Sequence, residues 1–263
     1  MNIVVCVKHV PDVSEIEVKV DPVKKDIDKS GLVFDINEWD DYAVEEALRI
    51  KEKFGGTVTV VTIGDESADS TLRKCLAKGA DNAIRVTDPR IASWDPLVIA
   101  KILYKVVKDI HYDLILTGVQ ASDDGYSVVG QALAEMLGIP HATLVKKIEI
   151  DGGIVRVNRE LEGGLEEIIE LSLPALLTIQ TGINEPRYVS IMGVRKAMRK
   201  EIKILNLDDL GLAREAVKEA SPIEMVELYV PPVERKAEII TGSVDEVASK
   251  IVEIIKSGGW YDG

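Results

Sequence analysis

This chain has no apolar run long enough to span a membrane, about 18 residues or more being needed, so no direct membrane insertion is expected. Cysteine is almost missing: Cys6 and Cys75 are the only two in 263 residues, and each sits in an apolar pattern of buried strand or helix. That excludes a disulfide framework and makes a reducing, cytoplasmic location the expectation, in keeping with an N-terminal run that carries no charged leader. Positive charge is in deficit, 32 Lys and Arg against 45 Asp and Glu, for a net charge of −13. A general nucleic-acid binder is thereby disfavoured, because phosphate-rich partners want the opposite sign. The three histidines, His9, His111 and His141, lie singly with no metal-ligand spacing, so each reads as structural and no metal is assigned. No Walker loop, dinucleotide fingerprint, Ser-His-Asp or Cys-His arrangement is legible. Asp123-Asp124 reads as a helix cap before an acid–base pair, and no catalytic residue is assigned.

What is present is ordinary for a globular chain, 46% apolar and 29% charged. Short β-branched runs alternate with helical periods through the first half. Ile3–Val7, Thr57–Ile63, Ala83–Val86 and Leu114–Thr117 read as buried parallel strands. The segments 41–54, 68–78, 96–108 and 127–137 read as helices, three of them closed by Gly55, Gly79 and Gly138. Two-residue alternation over 154–158 and 166–173 around Gly163-Gly164 predicts an antiparallel hairpin, with 176–179 a further strand. Segment 208–219 reads as a short helical or irregular piece, 222–232 as extended, and 243–256 as an amphipathic helix capped by Ser243 with Gly258-Gly259 beyond its end. The fold class is therefore α/β: a doubly wound, mostly parallel, Rossmann-like sheet with an antiparallel hairpin addition and an extended C-terminal arm ending in a helix. The division expected is an α/β nucleotide-binding domain over 1–205 and the arm over 206–263.

In such sheets ligands sit beyond the carboxyl ends of the strands. Three loops there have suitable composition: Lys8-His-Val-Pro-Asp12 with Val7 just ahead of it, the turn Ile63-Gly64-Asp65, and the small-residue loop Gly118–Gly130. The last holds Ala121, Asp124, Gly125, Tyr126, Ser127, Val128 and Val129 ahead of a helix start, where free N–H groups favour phosphate. Ordinary capped turns explain the same residues equally well. A fourth segment, 184–200, puts Tyr188, Val189, Ile191 and Met192 in a loop just ahead of a basic helix with Arg195, Lys196, Arg199 and Lys200. It reads as a protein-docking surface on an acidic body, or as a loop that tucks its apolar side chains into its own core.

Together these residues resemble the β subunits of the electron-transfer flavoproteins over nearly the whole chain. The resemblance lies in Val7-Lys-His-Val-Pro-Asp12, Asn37 before Ala43-Val-Glu-Glu-Ala47, and Lys78-Gly-Ala-Asp81. It continues in Gly118-x-Gln-Ala-x-Asp-Asp124, Arg159-Glu-Leu-Glu-Gly-Gly-Leu165, Pro174-Ala-Leu-Leu-Thr178 and Asn184-Glu-Pro-Arg-Tyr188. It implies a heterodimer with an α subunit that carries the redox FAD, and electron exchange with flavin dehydrogenases and a quinone oxidoreductase. It also assigns 184–200 as the dehydrogenase recognition segment with Ile191 its anchor, and sets Arg159 and Glu160 near the α-subunit flavin domain. A nucleotide in this chain is implied too, lined by Cys6, Asn37, Ile63, Ala121, Asp124 and residues 127–129. The sequence departs from the AMP-holding pattern, because Ser127-Val128-Val129-Gly130 lacks two side-chain phosphate donors. Bifurcating relatives share the valine before that glycine and hold a second FAD, with NADH docking nearby and a ferredoxin-like acceptor, yet they carry Gly-Asp-Thr where Asp124-Gly-Tyr126 stands. The resemblance favours a second FAD over AMP and leaves both open.

Overall fold

In a computed structural model, which describes residues 1–13, 18–21, 25–91, 94–212, 221–232 and 239–258, the first apolar run sits at the middle of a nine-stranded sheet. The chain begins with β1 (Asn2–Cys6), β2 (His9–Asp12), β3 (Val20–Asp21), β4 (Asp26–Ile27) and β5 (Val33–Ile36). Alternating units follow: α1 (Glu38–Phe54), β6 (Thr57–Ile63), α2 (Asp69–Lys78), β7 (Asn82–Val86), α3 (Pro96–Val107), β8 (Leu114–Gly118) and α4 (Val129–Leu137). Then come β9 (His141–Asp151), β10 (Ile154–Glu160), β11 (Glu166–Ser172), β12 (Ala175–Ile179), α5 (Ile191–Ala197) and β13 (Ile202–Leu205), and α6 (Val244–Ser257) lies last.

The strand order is β11-β10-β9-β12-β8-β1-β6-β7-β13. Every pairing from β9 through β13 in that order is parallel, and β9-β10-β11 is antiparallel. β1 is apolar throughout its core because both faces are covered. Ile3, Val5 and Val7 pack with α1 and α2, whereas Val4 and Cys6 pack with α3 and α4. Cys6 and Cys75 thus lie in separate cores on opposite faces, both as free thiols.

The architecture is the expected one, with local differences, among them β2, which pairs with β5 where a loop over Lys8–Asp12 was expected. The β9 strand was not foreseen: it leaves the parallel sheet beside β12 and becomes the antiparallel partner of β10, so charged residues of its outer half hide the strand pattern. The edge strand β13 was likewise hidden by its flanking charges. The fourth helix starts at Val129 and not at Ser127, since Ser127 takes a left-handed φ of 54° that a helix cannot hold.

The chain divides into two units, Met1–Leu228 and Tyr229–Gly263. In the second, α6 opens with Ser243, whose hydroxyl and backbone N–H form a reciprocal capping box with Glu246. The expectations for residues 213–219 and for Gly259 fall outside the described residues. Residues 221–232 form no regular element. Among the described residues no helix is long and apolar enough to cross a membrane.

Candidate functional site

From β1 the chain winds outward through β6 and β7, then returns to place β8 and β12 on the other side of β1. The crevice beyond the carboxyl ends of β1 and β8 is therefore the topological switch point, the position where doubly wound sheets open for a ligand. A buried carboxylate closes its base. Asp40, in the first turn of α1, accepts the Lys8 N–H at 2.7 Å and the Gly118 N–H at 2.9 Å, and so staples the ends of the two strands. Gly118 is required: a Cβ there would lie 2.5 Å from Asp40 Oδ1 and 2.6 Å from Trp39 Cβ. Burial pushes the Asp40 carboxyl up to about 7, against the opposing pull of the Lys8, Gly118 and Asn37 hydrogen bonds.

Asn37 fixes the loop that follows β8. Its Nδ2 donates to Gln120 O at 2.7 Å and its Oδ1 accepts the Ser122 N–H at 3.1 Å. Lys8 crosses the crevice to Asp123 and Asp124, 2.7 Å from each. Burial pulls the Lys8 pKa down, but the two carboxylates outweigh it and leave it raised. Within the loop, Gly125 N–H reaches Ala121 O at 2.9 Å and Asp124 accepts the Tyr126 N–H at 3.2 Å. Gly125 and Ser127 both take positive φ, and Gln131 Nε2 holds the Ser127 carbonyl at 2.8 Å. The residue capping α4 is Val128, which has no side-chain acceptor, so the first N–H groups of that helix point out of its end without a cap. Gly130 serves packing: a Cβ would meet Thr178 Cγ2 at 2.6 Å and Thr117 Oγ1 at 2.9 Å.

Cys6, Val7, Lys8, Asn37 and the 121–130 loop thus converge on one crevice. The thiol of Cys6 is turned into the core and pushed up to about 12 by burial, leaving only its backbone for a ligand. Ile63, Gly64 and Asp65 lie at the end of β6, the neighbour of β1 on the side away from β8. Asp65 there is engaged as the cap of a short turn, accepting Ser67 N–H at 2.9 Å; with the Ser67 hydroxyl, this holds its carboxyl below the usual range.

The segment 184–200 settles on other surfaces, against α1 and α2. Tyr188, Ile191 and Met192 are 99%, 77% and 68% exposed, so the tucked-in alternative is excluded for them. Ile191 and Met192 are also the first turn of the helix itself, not a loop ahead of it: Ser190 caps α5 by accepting the Gly193 N–H at 3.0 Å. Arg195 and Lys196 stand exposed on α5, while Lys200 turns back to Ala80 O at 2.5 Å. Arg159 and Glu160 belong to the far end of the sheet. Arg159 binds Glu167 and Thr143 at 3.2 and 3.1 Å, and Glu160 accepts Gln180 Nε2 at 3.1 Å.

A family model for the electron transfer flavoprotein domain matches residues 24–210. The chain is 43% identical over 259 residues to the electron transfer flavoprotein subunit beta of Thermoanaerobacterium thermosaccharolyticum, with 98% of each chain covered. It is 40% identical over 260 residues to the protein of that name from Methylophilus methylotrophus, covering 97% of this chain and 98% of the relative. This chain belongs to the electron transfer flavoprotein β-subunit family. Also similar, at 38% over 260 residues and with 97% and 98% covered, is subunit CarD of the caffeyl-CoA reductase-Etf complex of Acetobacterium woodii.

Within this family member, two residues at the switch point escaped the sequence reading. Asp40 looks like any acidic residue of a first helical turn, which favours negative charge anyway. Gln131 looks like a surface residue of α4, but its Oε1 is buried and has no partner among the described residues. A glycine-rich loop draws attention to itself; the side chains that hold it in place carry no such signal.

Proposed function

We propose that this chain is the β subunit of a heterodimer with an electron-transfer flavoprotein α subunit. The complex passes electrons between flavin dehydrogenases and a quinone-linked or low-potential acceptor. The redox chemistry belongs to the flavin; protein groups bind, orient and shield it. The observation that carries this reading is the switch-point loop, fixed by Asp40 and Asn37 and ending at the uncapped N–H groups of α4. Those N–H groups suit a phosphate, and the unpartnered Gln131 Oε1 is an acceptor suited to a hydroxyl or amide donor of a nucleotide.

Between nucleotides, a second FAD is favoured over AMP. Val128 and Val129 supply no side-chain donor, and Lys8 is already engaged by two carboxylates. A terminal phosphomonoester concentrates up to about two charges on one phosphorus, where each phosphorus of the FAD diphosphate carries one, and so needs more local compensation than backbone N–H groups alone give. With two flavins the complex splits NADH electrons between high- and low-potential acceptors, the latter a ferredoxin-like protein. Tyr188, Ile191, Met192, Arg195 and Lys196 form the dehydrogenase-docking surface, while Arg159, Glu160 and the arm over 206–263 face the α subunit. Exposed Ile251, Ile254 and Ile255 on α6 support that role for the arm. The setting is cytoplasmic, and the acidic chain takes no nucleic-acid partner.

The test is co-expression with the α subunit, purification, and release of the bound nucleotides. Two FAD per heterodimer is the expected result. One FAD with one AMP removes bifurcation, and a colourless complex holding only AMP sinks the redox reading in favour of a nucleotide-binding regulatory protein.

A further inference from the structure

The exposed knob at 188–192 is held from both sides, and one buried side chain does most of the holding on the first side. Glu45, in the middle of α1, is only 3% exposed. Its carboxylate accepts three bonds from Arg187: the backbone N–H at 3.0 Å, Nε at 2.8 Å and Nη2 at 3.0 Å. Arg49 adds a fourth at 3.2 Å. Arg187 reaches on to Glu52 at 2.6 Å, one further stretch along the same helix face, and Asn184 bonds Tyr42 O and Glu46, both at 3.0 Å. On the other side, α5 lies so close to α2 that a Cβ on Gly193 would sit 2.3 Å from Ala77 O. Arg187 immediately precedes Tyr188, the one aromatic residue of the segment 184–200. A fork of donors on a buried carboxylate fixes backbone as well as side chain, because the Arg187 N–H is one of the donors.

Resting on the docking role assigned above, we propose that Glu45 is the positioning residue that preorganises the Tyr188–Met192 knob for a flavin dehydrogenase. Glu45 is too buried to form part of the docking surface itself. It acts by removing from the docking step the entropic cost of ordering three large side chains and their backbone. The same helix begins with Asn37 and Asp40, so the nucleotide loop and the knob are built on one rigid element.

The test uses the purified heterodimer and one acyl-CoA dehydrogenase that reduces the wild type, chosen as the probe partner. Glu45→Gln and Arg187→Ala are each expected to raise KM for the dehydrogenase about tenfold while leaving kcat and flavin content unchanged. Faster hydrogen exchange should appear at 188–192. Arg187→Lys keeps charge but loses the fork, and should fall between wild type and Arg187→Ala. Ile191→Ala runs beside them as the measure of docking itself. A raised KM for Ile191→Ala with unchanged KM for folded Arg187→Ala overturns the positioning role alone. Unchanged KM for Ile191→Ala overturns the docking reading and this proposal with it. If Glu45→Gln does not fold, Arg187→Ala carries the decision, since Arg187 is partly exposed.

Discussion

Gly130 sets how closely α4 can approach the sheet, and thereby where its uncapped N–H groups stand. Gly130→Ala adds a methyl group 2.6 Å from Thr178 Cγ2 and 2.9 Å from Thr117 Oγ1, contacts that real side chains do not make. The neighbours are strand residues at most 6% exposed with little freedom to move, so the overpacking cost belongs in the upper part of the usual range, about 2–3 kcal/mol. Alanine recovers up to about 1 kcal/mol through its better helix propensity. The net loss is then about 1–2 kcal/mol, or a Tm lower by roughly 2–8 °C in a chain of this size. Thr178→Ser removes the nearer contact and keeps the hydroxyl that accepts Leu144 N–H at 3.3 Å. By itself it should cost about 1 kcal/mol for the lost methyl group. In the Gly130→Ala/Thr178→Ser double variant much of the clash is relieved, and the two changes should cost less together than their sum by at least about 1 kcal/mol. Denaturant unfolding of all four proteins measures this. Additivity within about 0.5 kcal/mol would refute the close approach of α4 to β12 as the reason for glycine.

Asp40 predicts a pH signature. Its carboxyl is raised from 3.8 to about 7 in the folded chain, so the folded state holds its proton more tightly than the unfolded one. The stability this contributes is complete below the lower value and is lost as pH rises through the upper one. Asp40→Asn removes that titration, so the stability gap between variant and wild type should move in the variant's favour from about pH 4 to about pH 7 and level off above that. A gap that stays constant would contradict the buried carboxyl. Ser243→Ala breaks the capping box of α6, and with no residue of that helix buried, local bonds carry it. A loss of about 1 kcal/mol is expected, read as faster hydrogen exchange in the first turn, and unchanged exchange there would count against the cap.

Much of the fold was legible because the parallel strands are covered on both faces. Ile3–Val7 and Thr57–Ile63 must be apolar in nearly every position, and the helices between them close on glycines that tolerate positive φ. The strands β9 and β13 were not legible. One face or one end of each meets solvent, and Lys146, Lys147, Glu149, Lys203 and their neighbours dilute the pattern. At the site, the loop residues from Ala121 to Gly130 stood out by composition, whereas Asp40 and Gln131 did not. Their roles arise from contacts 78 and 4 residues away, to Gly118 and to Ser127.

The sequence by itself determined the family, the doubly wound class and the segments whose composition departs from an ordinary loop or helix. Those follow from local periodicity and from motifs that are short in sequence. Only the tertiary structure decided that Tyr188, Ile191 and Met192 stand out from the surface, next to an Arg187–Glu45 contact that joins the segment to α1 across 142 residues of chain. It alone brought Lys8, Asn37, Asp40 and the 121–130 loop to one crevice. The physical reason is the same in both places: burial makes a polar group depend on partners that chain topology, and not sequence neighbourhood, supplies.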